Sequence, residues 1–349
     1  MNVATLQGRA RQLLDRAAYD YYAGGSDDEL TLADNPAAWS RLRLRPHVLR
    51  DVGGVDVATT VLGEPVATPI LIAPMAYQRL AHDEGEAATA RAAAEVGTVM
   101  IVSTLANISL EDVAATAPQA LRWFQLYVHV DRGFSLQLVR RAETAGYRAL
   151  VLTVDVPVPG RRRRDEANQF FLPEGMTMAN VGRAPAPVEG SALAAYAVDA
   201  FDPTLTFSDI GWLREHTDLP IVVKGVLRGD DAVEAVAAGA AAIVVSNHGA
   251  RQLDTAVATA DVLAEVAGAV GGRAEVYVDG GVCRGTDIVK ALALGARAVL
   301  VGRPVLWGLA CGGAKGVFEV VRELTDETAH AFMLCGVTTC DQVTRDLVV

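Results

Sequence analysis

The chain has 349 residues and a formal charge of −11, with 51% hydrophobic and only 6% aromatic residues. That length suffices for one large α/β barrel or two ordinary domains, and small apolar side chains suit tight α/β packing. The negative balance argues against nucleic acid as a partner and against adsorption to anionic membranes. No segment near Met1 joins a basic start to the apolar core of a signal peptide, and no apolar run approaches the ~20 residues of a membrane span. Cys283, Cys311, Cys335 and Cys340 lack metal-ligand spacing, so reduced thiols of a cytoplasmic protein are expected, and no metal site.

In chain order, residues 7–15 show an ordinary amphipathic helix pattern. It runs into Tyr19, Tyr21 and Tyr22 before Gly24 and Gly25 stop it. The tyrosines fit either a packing face or a phenol reaching into a site. The region 1–68 reads as an N-terminal helical cap. From Pro69 a unit repeats, a short apolar run followed by an Ala/Glu-rich helical segment. The runs lie at 70–73, 99–102, 121–126, 149–153, 221–224, 242–245, 275–278 and 298–301. Helical patterns near 85–96, 135–145, 230–238 and 286–294 separate them. Eight strands alternating with helices predict a TIM (β/α)8 barrel over 69–310, with C-terminal helices over 311–349, all in one domain.

One connection breaks the rhythm. Residues 160–208, after the fourth strand, hold Arg161, Arg162, Arg163 and Arg164 and then a Pro/Gly/Ala-rich segment. Such a long loop is expected to be a lid or an irregular insertion, with 175–191 as its lid or disordered part. An arginine run is ordinarily a solvated patch, but its place beside Asp155 marks at least one member for a site.

Polar groups follow nearly every strand at the same end, where barrels of this kind carry chemistry. They are Pro74-Met75-Ala76 after the first strand, Ser103 after the second, and Gln125 and Tyr127 at the third. Thr153 and Asp155 follow the fourth, Lys224 ends the fifth, and Ser246-Asn247-His248-Gly249-Ala250-Arg251-Gln252-Leu253-Asp254 follows the sixth. Asp279-Gly280-Gly281 follows the seventh and Gly302-Arg303 the eighth. The loops after strands seven and eight commonly cradle a phosphate through glycine amides, and Arg303 can pair with it bidentately. With Lys224 and Gln125 available for a polar ring system, a phosphorylated planar cofactor is indicated. FMN fits better than a dinucleotide, because no Gly-x-Gly-x-x-Gly opens a Rossmann unit. His248 and Arg251, a base and a cation three residues apart, suit proton abstraction beside an anionic group. A non-redox isomerase or lyase using the cradle for its own substrate stays open on the residues alone.

Ser246–Asp254, Lys224-Gly225, Asp279-Gly280-Gly281-Val282 and Gly302-Arg303-Pro304 together resemble the FMN-dependent α-hydroxy-acid oxidase and dehydrogenase family, from about Tyr19 to the C-terminal helices. The resemblance implies oxidation of an (S)-2-hydroxy acid to a 2-oxo acid, with O2 as acceptor and hydrogen peroxide as product. It implies His248 as the base, Asp155 stabilising its protonated form, and Arg251, Arg162 and Tyr21 on the substrate carboxylate. Tyr127 would hydrogen-bond the substrate near its hydroxyl, and Lys224 would lie by the pyrimidine edge of the flavin. Ala76, Ser103, Gln125, Thr153 and Ser246 would hold the ring, Asp279 the ribityl chain, and Gly281, Gly302 and Arg303 the phosphate. It also implies a homo-oligomer, a tetramer. The solvated reading stays with Arg161, Arg163 and Arg164.

The chain departs from the family at two places. Cys283-Arg284 stands where two consecutive arginines are common, removing one cation from the phosphate end. Leu105 stands where glycolate oxidases carry Trp, which enlarges the pocket and favours an aromatic substrate such as mandelate or 4-hydroxymandelate over lactate, glycolate or a long-chain hydroxy acid. Membrane-bound dehydrogenase relatives carry an apolar anchor after the fourth strand. Phe170-Phe171-Leu172 is too short for one, which favours oxygen over a quinone or cytochrome as acceptor.

Overall fold

The computed structural model describes residues 3–182 and 190–349. Its centre is a closed barrel of eight parallel strands, in order around the barrel. They are β1 (Ile70–Ile72), β2 (Val99–Ser103), β3 (Leu121–Leu126), β4 (Leu150–Thr153), β5 (Ile221–Val226), β6 (Ala242–Val245), β7 (Glu275–Val278) and β8 (Ala298–Val301). The strands read as unbroken apolar runs because both faces are covered, one by the barrel interior and one by the surrounding helices. Leu71, Ile101, Trp123, Val151, Val222, Val244, Tyr277 and Leu300, one from each strand, pack together as the interior. An antiparallel hairpin, Thr59–Val61 with Glu64–Val66, adds Val61 and Val66 to that cluster. The barrel is therefore a filled core, and room for ligands lies beyond the carboxyl ends of the strands.

Three helices form the N-terminal cap: α1 (Val3–Leu13), α2 (Arg16–Ala23) and α3 (Leu30–Arg41). The single opening helix expected from the pattern is thus two. The Asp15 carboxylate accepts the Ala17 amide at 2.8 Å and starts α2 as its N-cap. Gly24 ends α2.

At the other terminus one helix spans Arg303–Cys335. By length and composition it could cross a membrane, but its backbone leaves the helical region at Gly312 and Gly313. It packs against the helix Gly85–Val96 and against α1. Helices were expected over 311–349; the structure instead starts one long helix at Arg303 and follows it with two short 3-10 turns, Cys340–Gln342 and Arg345–Leu347.

The connection after β4 is not irregular throughout its described part, since it carries the helices Arg163–Ala167 and Ala192–Ala200. Residues 183–189, within the stretch expected as a lid, lie outside the described residues.

Candidate active site

The turn after β6 is built for position rather than comfort. His248 and Ala250 hold left-handed backbone conformations, φ 57° and 64°, each costing on the order of 1–3 kcal/mol that the surroundings must offset. Three contacts supply that hold. The His248 amide donates to Ser246 Oγ at 3.0 Å, and Asn35 and Asn247 exchange side-chain amide hydrogen bonds at 3.0 and 2.8 Å. The Asp254 carboxylate accepts the amides of Asp28, Leu30 and Thr31 at 3.1, 3.3 and 2.9 Å. The cap is thereby locked to the turn.

His248 Nδ1 lies 2.8 Å from Asp155 Oδ1. A carboxylate only accepts, so Nδ1 carries the hydrogen and Nε2 keeps its lone pair. Burial pushes His248 below its ordinary value, against Asp155, which favours the charged ring. Burial alone would raise the Asp155 carboxyl, but the charge and hydrogen bond of His248, with Lys224, hold it below the usual carboxylate range. The pair is a neutral base backed by an ionised acid. Gln252 Nε2 donates to the carbonyls of Asp155 and Val158 at 2.8 and 2.9 Å and sets that loop.

Beside this pair three guanidiniums converge. Arg251 lies 4.8 Å over the Tyr21 ring and donates to the carbonyl oxygens of Tyr21 and Gly24. Arg162 Nε reaches the Arg251 carbonyl at 3.4 Å, and its Nη1 stands 3.9 Å from the buried Asp165. Arg303 donates to the carbonyl oxygens of Tyr22, Gly249 and Gly24 at 2.9, 2.9 and 2.8 Å. Burial presses both Arg162 and Arg303 below their ordinary values, and the neighbouring guanidiniums add to the depression. Buried like charges held this close call for anions. The Tyr21 and Tyr127 phenols are pushed up by burial, so both stay neutral donors.

Arg161, Arg163 and Arg164 are half-exposed, as the solvated reading expects, and each is also ion-paired. Arg161 pairs with Glu166, Arg163 with Asp27 and Asp28, and Arg164 with Asp20 and Glu29. The pairs of Arg163 and Arg164 tie the loop that carries Arg162 to the segment that carries Tyr21.

These groups open onto one cavity of about 1000 Å³. Tyr21, Ala76, Ser103, Leu105, Gln125, Tyr127, Thr153, Arg162, Lys224, His248, Arg251, Asp279, Gly281, Gly302 and Arg303 all line it. Asp155 and Ser246 do not. Asp155 stands behind His248, and the buried Ser246 accepts Lys224 Nζ at 2.8 Å, so it supports two site residues instead of lining the site.

The donor set fits FMN. Ser103 Oγ and the Thr104 amide both donate to Gln125 Oε1 at 3.2 Å. That leaves Gln125 Nε2, a buried donor without a partner, available to a ring carbonyl. Lys224 Nζ stands 3.0 Å from Asp279 Oδ2, while the buried Asp279 Oδ1 has no partner and can accept a ribityl hydroxyl. A Cβ on Gly281, at φ 79°, would meet the Asn35 backbone at 2.5 Å, so only glycine lets α3 approach this loop so closely. Gly302 and Arg303 complete the phosphate end. Cys283 also lines the cavity, its thiol pushed up to about 11 by burial, and so offers no charge to the phosphate.

Sequence reasoning missed Asn35, Gln252 and Asp254 as parts of the site. Two of them stood inside the strand-six motif, but their partners lie far away in the chain. Among the described residues no cluster of three or more His, Cys, Asp or Glu could hold a metal.

A TIM barrel with this constellation at its strand ends defines a flavin-dependent oxidoreductase. The FMN-dependent dehydrogenase family matches residues 10–349, and the chain belongs to it; FMN is its cofactor. L-lactate oxidase from Nostoc sp. is 51% identical over 98% of this chain and 95% of its own length. Human 2-hydroxyacid oxidase 1 is 50% identical over 97% and 94%. A crystal structure of mandelate oxidase with (S)-4-hydroxymandelic acid superposes with a TM-score of 0.94 at 45% identity, covering 100% of this chain and 98% of that one.

Proposed function

We propose that this enzyme oxidises an (S)-2-hydroxy acid bearing an aryl group to the 2-oxo acid, with O2 as acceptor and hydrogen peroxide as second product. The observation that carries the reaction is the His248–Asp155 pair beside Arg162 and Arg251 in one cavity. Arg251, Arg162 and Tyr21 bind the substrate carboxylate and so fix its α-carbon. Tyr127 holds the α-hydroxyl. His248 Nε2 takes one proton, and Asp155 stabilises the imidazolium that results. Lys224 offsets negative charge at the flavin. Bound FMN supplies the two-electron acceptor and returns those electrons to oxygen. The oxidase names of the relatives at 50–51% identity support oxygen as acceptor.

The aryl preference rests on the cavity wall. Leu105 lines it where a larger ring would fill space, and the helix Ala192–Ala200 adds Leu193, Ala194, Ala197 and Val198. The likeness to the mandelate oxidase structure points the same way. A Leu105→Trp variant is expected to lower kcat/KM for mandelate about tenfold or more while sparing lactate and glycolate. Oxygen uptake across a panel of aromatic and aliphatic 2-hydroxy acids measures this. Equal losses on both classes would remove the aryl assignment and leave a short-chain hydroxy-acid oxidase.

A further inference from the structure

The segment after β4 returns to the barrel beside Tyr127, and one histidine joins the two. His129 bridges Phe201 antiparallel through the backbone. Val130 donates to the Ala200 carbonyl at 2.9 Å and Asp202 to the Val128 carbonyl at 3.0 Å. The His129 ring is buried. Its Nδ1 lies 3.0 Å from the Tyr127 carbonyl oxygen and its Nε2 3.0 Å from Tyr196 Oη. A carbonyl oxygen only accepts, so Nδ1 carries the hydrogen; in the neutral ring Nε2 then accepts from the Tyr196 hydroxyl. Phe201 stacks on the Tyr127 ring with centroids 4.3 Å apart, and His129 meets the Phe201 ring edge-on at 5.4 Å. Tyr196 also meets Phe201 edge-on, at 5.8 Å.

The position of the Tyr127 ring is therefore set twice by this group, through its own carbonyl and through the ring stacked on it. We propose that His129 and Tyr196 form a clasp that positions the Tyr127 hydroxyl for the substrate. Neither touches substrate; both are positioning residues. The inference rests on the reading that Tyr127 contacts the substrate hydroxyl. Tyr196 sits on the helix Ala192–Ala200, which puts Leu193, Ala194, Ala197 and Val198 on the cavity wall, so the clasp also couples that wall to the reacting end.

The test is a double-mutant cycle on the FMN-loaded enzyme, with Tyr196→Phe and Tyr127→Phe, reading kcat and KM for the best 2-hydroxy acid of the panel. Tyr196→Phe keeps the ring packing and removes only the hydroxyl. It is expected to lower kcat/KM about tenfold, with the FMN dissociation constant unchanged and only a small fall in melting temperature from the lost buried hydrogen bond. In the Tyr127→Phe background it is expected to cost nothing further, because its effect passes through the missing hydroxyl. His129→Asn, which keeps a donor toward the Tyr127 carbonyl but loses both the reach to Tyr196 and the ring edge against Phe201, should cost at least as much as Tyr196→Phe. An unchanged kcat/KM in Tyr196→Phe, or losses that multiply in the double variant, would overturn the clasp. If Tyr127→Phe alone changes nothing, the role given to Tyr127 fails instead.

Discussion

At the scale of single residues the chemistry turns on one imidazole and its partner. His248 acts while neutral, so kcat/KM falls as pH drops through its pKa. Burial places that limb below the ordinary 6.5 of a histidine, and Asp155 opposes burial. An Asp155→Asn change removes the opposing charge, so the acid limb should move to lower pH. Activity at neutral pH should fall at least about a hundredfold, because the imidazolium loses its support and the tautomer is no longer fixed. A kcat/KM profile against pH measures both effects, and a limb that moved upward would contradict the assignment. His248, Asp155 and Arg251 were legible in the sequence because each follows a buried apolar strand, and that position alone puts them on one face. Asn35, Gln252 and Asp254 were not legible. Polar side chains on a cap helix or in a turn look alike until their partners, as far as 226 residues away, are brought beside them.

Among the elements, the bulge in β5 does more than carry Lys224. The register slips between Lys224 and Val226, and Gly225 takes φ 114°. A Cβ there would stand 2.6 Å from both Cβ and Cγ of Asp155. Gly225→Ala must push the carboxylate off His248. It is expected to lower kcat/KM by up to about a hundredfold, the scale of an ångström misplacement, with FMN still bound. Steady-state kinetics beside the flavin content of the purified variant would show it; full activity would mean that Asp155 has slack to move. All eight strands were legible, because burial on both faces leaves unbroken apolar runs between turn signals. The helix Ala192–Ala200 was not, since its Ala-rich run stands beside a segment broken by proline and glycine that reads as loop. The arginine run was half read. Arg162 was separated from its neighbours, but the ion pairs of Arg163 and Arg164 with the N-terminal cap needed the fold to bring the two segments together.

For the molecule as a whole, an acidic chain encloses a cationic pocket. The formal charge is −11, yet Arg162, Arg251, Arg303 and Lys224 all face the same cavity. The low-dielectric walls of that cavity strengthen each of them toward a carboxylate and a phosphate. The barrel explains how residues from every part of the chain meet there, and the cap explains how Tyr21 joins them. The most direct measurement is anaerobic mixing of the purified protein with one equivalent of 2-hydroxy acid per flavin, followed by air, in parent and His248→Asn forms. The parent should be yellow with FMN, bleach on mixing, and regain its colour with stoichiometric hydrogen peroxide when oxygen enters. His248→Asn should hold FMN equally well and fail to bleach on that timescale. A colourless parent that takes up no FMN, or a variant that bleaches at the parent rate, would contradict the account.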